Sequence, residues 1–513
     1  MLSGRVFKIW EWGAVFLCLM SGLYWLIYQL PHVSATYDEG FSYVANGEYL
    51  VKNFKWDRPY ILLHPPLFYY LSGISSLSFL TLNPDIQLLR ARLSMVPLYI
   101  FFALFIHLLM RHLVGRKIAW VVLLLYLFHP EILAHARLVT PDHLLAVSTT
   151  STLVAFYFFL KKPTSRRMFL VSIGIGVTLL SKYTGLLLVP LLCFYALIYS
   201  FKHKSMAKSI LGGMFIILVL GAGLLHGGYG FSETGKSTDV FVSPQFQKLA
   251  KIPGAKFLLT TLLPRAYIKG TDFQMEESSK GVWWGYFMGK YYGAGLWYFY
   301  PVIFLIKTPL PLLWLITWAL VTSVSHKRSY PLLTNLLLFT ILYWFLYMMF
   351  FNKLIIGLRY LLPIQPLFLL LIGLRLKDIS AAFSSKFVST LLTGLIVWYV
   401  VGILKIAPFY LAFANETIGG PKNLWKYAAD SSLDWNQDQK FFADYKNVHP
   451  EIAAVNPRLP TSGIIAVQVN EMNLYYFHNY QWLRDLHKEP IDEIGYTWLI
   501  FQIDPEELKQ VPQ

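Results

Sequence analysis

Residues 10–30, WEWGAVFLCLMSGLYWLIYQL, decide the fold of this protein. The stretch is long enough for a helix to cross the roughly 30 Å hydrocarbon core of a bilayer. A short basic start with Arg5 and Lys8 precedes it, no small-residue cleavage site follows, and it exceeds the apolar core of a signal peptide. We therefore predict a retained transmembrane helix.

The rest of the chain repeats this pattern. Of its 513 residues 56% are hydrophobic and only 14% are charged, against roughly 25% charged residues in soluble domains. We predict an all-α polytopic membrane protein with about eleven transmembrane helices. The predicted spans are residues 10–30, 92–110, 118–134, 143–160, 168–181, 183–200, 209–226, 297–320, 331–351, 360–375 and 387–405. Cys18 and Cys193 both lie in apolar segments, which offers neither a disulfide framework nor a cysteine metal site.

The net charge of +16 comes from short basic clusters between apolar stretches. This is the positive-inside pattern of a membrane protein and not a nucleic-acid groove, so we expect no nucleic-acid partner. The clusters predicted to face the cytoplasm are Arg5/Lys8, Arg111/Arg116/Lys117, Lys161/Lys162/Arg166/Arg167, Lys202/Lys204/Lys208, Lys327/Arg328 and Arg375/Lys377/Lys386.

This topology places three substantial segments outside the cytoplasm. Loops 31–91 and 227–296 belong to a membrane domain over residues 1–405, and residues 406–513 form a C-terminal extracytoplasmic region. Segments 462–467 and 496–503 predict short strands, so this region reads as a small α/β appendage. Segment 66–82 is apolar enough to cross, but crossing would invert every later loop, and we predict an interfacial or re-entrant segment.

Two adjacent carboxylates, Asp38 and Glu39, follow the first span directly. Such a pair could supply a general base and an orienting or cation-binding group, or it could be an acidic helix cap on a surface loop. His64 is held by Pro65 and Pro66, which also explain a helix start by themselves.

Four further ionisable residues lie near the predicted outer ends of helices. Arg137 and Asp142 flank the turn between the third and fourth spans, where a cavity site and a structural cap are both consistent. Lys182 joins two short apolar stretches and Arg359 opens the tenth span. A cation at membrane depth costs about 2.5–3.5 kcal/mol, so it either binds an anion such as a lipid phosphate or snorkels to the headgroups.

Together these motifs resemble the bacterial protein O-mannosyltransferase-like branch of the GT-C glycosyltransferases, which is related to the lipid A aminoarabinose transferases. The resemblance runs nearly end to end. Its motifs are Tyr37-Asp38-Glu39, His64-Pro65-Pro66-Leu67, Arg137 to Asp142, Ser181-Lys182-Tyr183-Thr184-Gly185, Lys307-Thr308-Pro309-Leu310, Arg359-Tyr360-Leu361-Leu362-Pro363, Gly419-Gly420-Pro421 and Asp430 to Asp438.

The resemblance implies a GT-C fold in a bacterial plasma membrane and an inverting transfer from a polyprenyl-phosphate sugar to a glycan, lipid or protein hydroxyl outside the cytoplasm. Asp38 would match the catalytic base and Glu39 its partner. Lys182, Arg359 and His64 would bind the donor phosphate, and the other site candidates, Arg137 and Asp142, match a second polar motif.

Two features of the sequence bear on metal binding and on rival functions. The aminoarabinose transferases carry Glu-Lys before Pro-Pro where this chain has Leu63-His64, so metal binding is left open: no cofactor is required, and a divalent cation is compatible. The alternatives are a transporter or flippase of a lipid-linked sugar and a noncatalytic membrane scaffold. A transporter would favour internal repeats around a midplane site, and we find no fixed-period repeat.

Overall fold

The fold is described from a computed structural model of the chain. It describes residues 2–76, 83–236, 241–281, 285–293, 295–325, 328–379, 385–453, 455–475 and 479–510. Residues 77–82 of the predicted interfacial segment and Lys327 of one basic cluster lie outside these ranges.

Helices dominate the described chain. The first eleven are α1 (Leu2–Ile27), α2 (Val44–Asn53), α3 (Leu67–Ser76), α4 (Pro84–Leu93), α5 (Val96–Val114), α6 (Arg116–Leu127), α7 (Pro130–Ala136), α8 (Pro141–Lys161), α9 (Ser165–Ser181), α10 (Leu188–Lys202) and α11 (Lys204–Gly228). The others are α12 (Pro244–Ala250), α13 (Ala255–Leu262), α14 (Arg265–Lys280), α15 (Phe299–Lys307), α16 (Leu310–Ser325), α17 (Pro331–Phe350), α18 (Gln365–Asp378), α19 (Lys386–Ile406), α20 (Leu424–Tyr427), α21 (Gln439–Val448) and α22 (Gln481–Asp485).

Proline and glycine set several of these helix boundaries. Pro130, Pro141 and Pro331 occupy the first turn of their helices, where a missing N–H costs nothing. Gly115 separates α5 from α6 at a φ of 97°, a conformation that glycine adopts without strain. The chain therefore reverses sharply between these two apolar helices.

The polytopic all-α character is confirmed, but the count of eleven spans is not. Within the described residues eight helices are long and apolar enough to cross a membrane, or nine if the bent pair α6 and α7 is one span. The predicted span 168–181 corresponds to α9, which has 17 residues. The predicted span 297–320 is divided into α15 and α16, since Pro309 interrupts the hydrogen-bond ladder between them.

Burial distinguishes central from peripheral helices. The span that contains α18 is 94% buried and α8 is 83% buried, whereas α19 is only 11% buried. Helices α18 and α8 therefore form the centre of the bundle, and α19 presents most of its apolar surface to lipid. The carboxyl end of α7 and the turn before α18 both meet this centre.

Two small antiparallel sheets lie beyond the helices. One has the order β2-β1-β3 and the other β4-β6-β5. Their strands are β1 (Gly285–Phe287), β2 (Lys290–Tyr292), β3 (Ala428–Ala429), β4 (Gly463–Gln468), β5 (Asp492–Ile494) and β6 (Trp498–Ile503). Strands β4 and β6 confirm the two predicted in the C-terminal region, and the side chains of Ile465 and Val467 belong to the same apolar core as the helices.

Segment 66–82 begins with α3, of which ten residues lie in the described part of the chain. Helix α3 packs tightly on α2, because a Cβ on Gly73 would lie 2.2 Å from the carbonyl oxygen of Gly47. The two helices and α4 form a small layer over the ends of the spans, and this layer carries the loop with Asp38.

Candidate active site

Glu39 is locked into the protein interior. Arg92 on α4 donates from Nε to Oε1 at 3.0 Å and from Nη2 to Oε2 at 2.6 Å. The backbone N–H groups of Thr36 and Val139 donate to the same carboxylate at 3.0 and 2.8 Å. Burial alone would raise the pKa of Glu39, but the charge of Arg92 and these hydrogen bonds outweigh it and lower the pKa. Glu39 is therefore held as an anion that fixes the loop.

The neighbouring carboxylate, Asp38, is partly exposed and not locked in the interior. Its side chain is 37% exposed, and its described contacts are both to Oδ2, from Arg359 Nη1 at 3.5 Å and from the Tyr43 hydroxyl at 3.4 Å. Among the described residues Oδ1 receives no hydrogen bond. Asp38 thus has a carboxylate oxygen open to a ligand, whereas Glu39 has none.

Arg359 lies in a turn that the C-terminal region shapes. Gly357 has a φ of 96°, and a Cβ there would lie 2.6 Å from the Ser432 hydroxyl. That hydroxyl accepts the N–H of Leu358 at 2.9 Å, and the guanidinium of Arg359 lies 4.4 Å from the ring centroid of Trp435. A cation over an indole ring is a favourable electrostatic contact.

The same C-terminal segment also holds the loop with Asp38. The N–H of Tyr37 donates to the carbonyl of Trp435 at 3.1 Å, and the N–H of Ser34 donates to the carbonyl of Gln437 at 2.8 Å. The motif from Asp430 to Asp438 therefore positions both the carboxylate and the cation of the site. The sequence placed this motif in the resemblance without giving it a role.

Lys182 forms a buried ion pair. Its Nζ lies 2.6 Å from Oδ1 of Asp142 at the start of α8, and both side chains are buried. The ammonium also lies 4.3 Å from the ring centroid of Tyr360, the residue after Arg359. The structure thus brings Lys182, Asp142 and the Arg359 turn together, as expected if all lie at one end of the bundle.

His64 reaches this cluster through Tyr43. Its Nε2 lies 2.8 Å from the Tyr43 hydroxyl, which also contacts Asp38, while its Nδ1 is buried with no hydrogen-bond partner in the described part of the chain. Burial, assisted by the charge of Lys182, lowers the pKa of His64 to about 3. The imidazole is consequently neutral at pH 7 and can donate only one hydrogen bond.

A cavity of about 240 Å³ opens beside these residues. His64 and Lys182 line it, and most of the other lining side chains are apolar or aromatic. Its other lining residues are Tyr183, Thr184, Leu186, Leu187, Pro190, Thr271, Gln274, Met275, Ser278, Tyr347, Met348, Asn352, Leu354 and Tyr360. A phosphate with an apolar tail would match this distribution of charge and hydrophobic surface.

Two other cations of the predicted motifs lie apart from Asp38. Arg137 is buried over the ring of Tyr410 at 5.2 Å, and no described residue forms a hydrogen bond with its Nη1. Lys307 is fully buried, pairs with Glu131 at 2.9 Å and donates to the carbonyls of Leu411 and Ser432. The structure thus gives Lys307 the role of an anchor between α15, α7 and the C-terminal region.

Metal ligands are scarce around this site. Within the described residues no group of three or more His, Cys, Asp or Glu side chains could hold a metal ion. Both oxygens of Glu39 are already paired with Arg92, whereas the Asp38 carboxylate still has an oxygen available to a ligand. These residues do not make a preformed divalent-cation site of the usual oxygen-rich type.

Sequence analysis missed Tyr43, Arg92 and Trp435. Trp435 lies inside the motif from Asp430 to Asp438, and Tyr43 follows Glu39 by four residues. Their nearness to these motifs could have indicated that they belong to the site. Arg92 stands at the start of a predicted span and carried no such signal, because its partner Glu39 is 53 positions away.

Comparison with known proteins supports a relationship to a glycosyltransferase family. Residues 63–225 match the family described as dolichyl-phosphate-mannose-protein mannosyltransferase. This range contains His64, Arg137, Asp142 and Lys182, and lies between Asp38 and Arg359. No curated protein matches the sequence closely enough to count as a relative.

Two solved structures with a similar course of the chain are distant from it in sequence. ArnT from Cupriavidus metallidurans bound to undecaprenyl phosphate is 15% identical, with 88% of this chain and 82% of that chain covered and a TM-score of 0.49. The oligosaccharyltransferase AglB from Archaeoglobus fulgidus, in complex with an inhibitory peptide and a dolichol-phosphate, is 14% identical, with 89% and 62% covered and a TM-score of 0.46.

The family match agrees with the resemblance of the motifs within residues 63–225. Eight or nine described helices could cross a membrane. The chain is therefore a multi-pass membrane protein in which residues 63–225 are similar to the dolichyl-phosphate-mannose-protein mannosyltransferase family.

Proposed function

We propose that this protein transfers a sugar from a polyprenyl-phosphate donor to an acceptor hydroxyl on a glycan, lipid or protein, with inversion at the anomeric carbon. One observation carries the proposal. The carboxylate of Asp38, which has an oxygen open to a ligand, lies 3.5 Å from the guanidinium of Arg359, and both residues are near the cavity that Lys182 lines. The reaction runs at the extracytoplasmic face of a bacterial plasma membrane.

The cavity is proposed to bind the donor. Its apolar side chains would accept the first isoprene units, and Lys182 and His64 would meet the phosphate. In the free protein Lys182 is neutralised by Asp142. A phosphate would share the ammonium with Asp142, and Arg359 would supply a second positive charge through its planar fork.

The chemical step uses the side chains in complementary ways. The acceptor oxygen attacks the anomeric carbon from the face opposite the phosphate and gives its proton to Asp38. The bond between the anomeric carbon and the phosphate oxygen breaks, and its electron pair leaves with the polyprenyl phosphate. One displacement of this kind inverts the anomeric carbon, and the proton on Asp38 is later released to water.

Positive charge acts mainly on the leaving group. As the phosphate gains negative charge, Lys182 and Arg359 stabilise the transition state more than the ground state, because they are held in place before the reaction begins. The contact of Arg359 with Trp435 and the hydrogen bonds of Ser432 provide that preorganisation. No step is routed through a metal ion.

The test is the replacement Asp38→Asn in purified protein supplied with a short-chain polyprenyl-phosphate sugar. We expect loss of transfer with donor binding retained, since the amide keeps the shape but cannot take the proton. The matched control is Asp57→Asn, an exposed carboxylate in the predicted loop 31–91 that accepts a hydrogen bond from the Tyr49 hydroxyl. Near wild-type transfer by the Asp38 variant would refute the base, and donor translocation without any product would favour a flippase.

Sidedness needs its own experiment. Cysteines placed at exposed Lys55 and Lys446 should react with an impermeant maleimide in intact cells, whereas a cysteine at exposed Lys204 should react only after lysis. The opposite pattern would place the site in the cytoplasm and overturn the proposed localisation.

A further inference from the structure

Residues 241–263 form a segment that the proposed transfer reaction does not use. They follow the span α11, contain the short helices α12 and α13, and lead into α14. Helix α13 has eight residues, about 12 Å of helix at 1.5 Å per residue. It cannot cross a bilayer, so its apolar surface needs another explanation.

That surface is large for so short a helix. Phe257 is 71% exposed, Leu258 57% and Leu262 49%, and Ile252 in the preceding turn is 55% exposed. On the opposite side Leu259 packs on the small core of Phe241, Phe246 and Ile268. The helix therefore rests on the protein with one face and presents a second apolar face outward.

Two hydroxyls beside the outward face are already satisfied. Thr260 donates to the carbonyl of Lys256 at 3.1 Å, and Thr261 donates to the carbonyl of Phe257 at 2.8 Å. Internal hydrogen bonds of this kind lower the cost of bringing a polar group into an apolar medium.

The charged side chains of this segment are all positive. Lys248, Lys251 and Lys256 are exposed, and the sequence from residue 240 to residue 271 contains no Asp or Glu. No described acidic side chain forms an ion pair with these three lysines. A short helix with exposed apolar side chains that follows a cluster of lysines fits the interface of an anionic membrane.

The position of the segment connects it to the donor cavity. Helix α13 passes through Leu263 and Pro264 into α14, whose Thr271 and Met275 line that cavity. Helix α14 is seated closely, because a Cβ on Gly270 would lie 1.8 Å from the Tyr183 hydroxyl oxygen.

We propose that α13 lies at the boundary of headgroups and acyl chains in the leaflet next to the active site, where Lys248, Lys251 and Lys256 bind anionic lipid headgroups, and that this contact holds α14 at the cavity. The occupant of the apolar face is thus an anionic lipid surface. The proposal concerns lipid binding and does not depend on sugar transfer.

Nitroxide labelling of the full chain tests the depth of α13. In a background with Cys18→Ala and Cys193→Ala, a single cysteine is labelled at Phe257, in nanodiscs of phosphatidylcholine with or without phosphatidylglycerol. Two positions of equal exposure serve as references: Phe215, 70% exposed on the span α11, and Val448, 72% exposed on α21 of the C-terminal region.

We expect the label at Phe257 to collide with oxygen as the lipid-facing label at Phe215 does, and to be shielded from a water-soluble nickel complex. Collisions like those at Val448 would place the face in water, and low collision rates with both reagents would mean that a protein partner covers it. Either result would overturn the proposal. Shielding should increase with phosphatidylglycerol and lose this dependence when the three lysines are changed to Gln. Equal shielding in both lipid mixtures would refute the anionic-lipid contact.

Discussion

Replacing Glu39 by Gln separates the roles of the two adjacent carboxylates. Glu39 and Arg92 form an ion pair in which both side chains are almost completely buried, with 0% and 1% exposure. The variant leaves the Arg92 guanidinium without its counter-ion and turns an amide N–H₂ toward donors. Removing one partner of such a buried pair costs about 3–5 kcal/mol of unfolding free energy.

Asp38→Asn supplies the contrast. The Asp38 side chain is 37% exposed and its contacts with Arg359 and Tyr43 are long. A partly exposed pair contributes about 0–1 kcal/mol, so this variant should melt close to wild type. We expect Asp38→Asn to lose transfer but keep stability, and Glu39→Gln to lose stability first.

Thermal melting of both variants in the same nanodiscs measures the difference, with transfer assayed well below the melting temperature. The double variant Glu39→Met with Arg92→Met is the control, because it removes both charges together and should recover part of the lost stability. A Glu39→Gln protein that melts like wild type but has no activity would refute a purely positioning role and place Glu39 among the catalytic groups.

Four further outcomes are expected. The double variant Lys182→Met with Asp142→Asn removes both charges of the buried pair, so neither is left unpaired. It should lower kcat and raise the donor KM. Wild-type kinetics would mean that the phosphate binds elsewhere. Arg359→Lys should keep part of the activity, because the charge survives while the planar fork is lost, and steady-state kinetics measure the remainder. Trp435→Leu should lower kcat with the fold intact by circular dichroism, since Arg359 then loses its aromatic support. Burial raises the pKa of Asp438 to about 8, above the value of about 4 in an unfolded chain. The contribution of Asp438 to stability is therefore fully present below about pH 4, falls as the pH rises and is lost above about pH 8, and Asp438→Asn should remove this part of the pH dependence in melting experiments.

Much of the fold was predictable because lipid imposes a simple rule on sequence. Apolar stretches of sufficient length marked most helices, and short runs rich in strand-favouring residues marked β4 and β6. The span count was not confirmed, because α9 falls below spanning length and because Pro309 divides a single apolar run into α15 and α16. Length and hydropathy alone do not show such breaks.

For the candidate site, the sequence predicted where the residues lie but not how they pair. Lys182, Asp142, Asp38 and Arg359 were expected at one end of the bundle, and the structure places them in contact as two pairs. The pairing itself was not predictable, since it depends on which helices neighbour one another. The same limitation hid Arg92, whose importance comes wholly from a partner distant in sequence.

The hydrogen bonds between the C-terminal region and the loop after the first helix also set the order of biogenesis. The N–H of Lys440 donates to the Ser34 hydroxyl at 2.8 Å across 406 positions of sequence. At synthesis rates of roughly 5–20 residues per second, the ribosome needs about 20–80 s to travel that far. Asp38 and Arg359 therefore acquire their final arrangement only after the last helix and the C-terminal region have been synthesised. A nascent chain, or one truncated before Trp435, lacks the contacts that hold the Asp38 loop and the Arg359 guanidinium, so the candidate site is the last part of the bundle to be assembled.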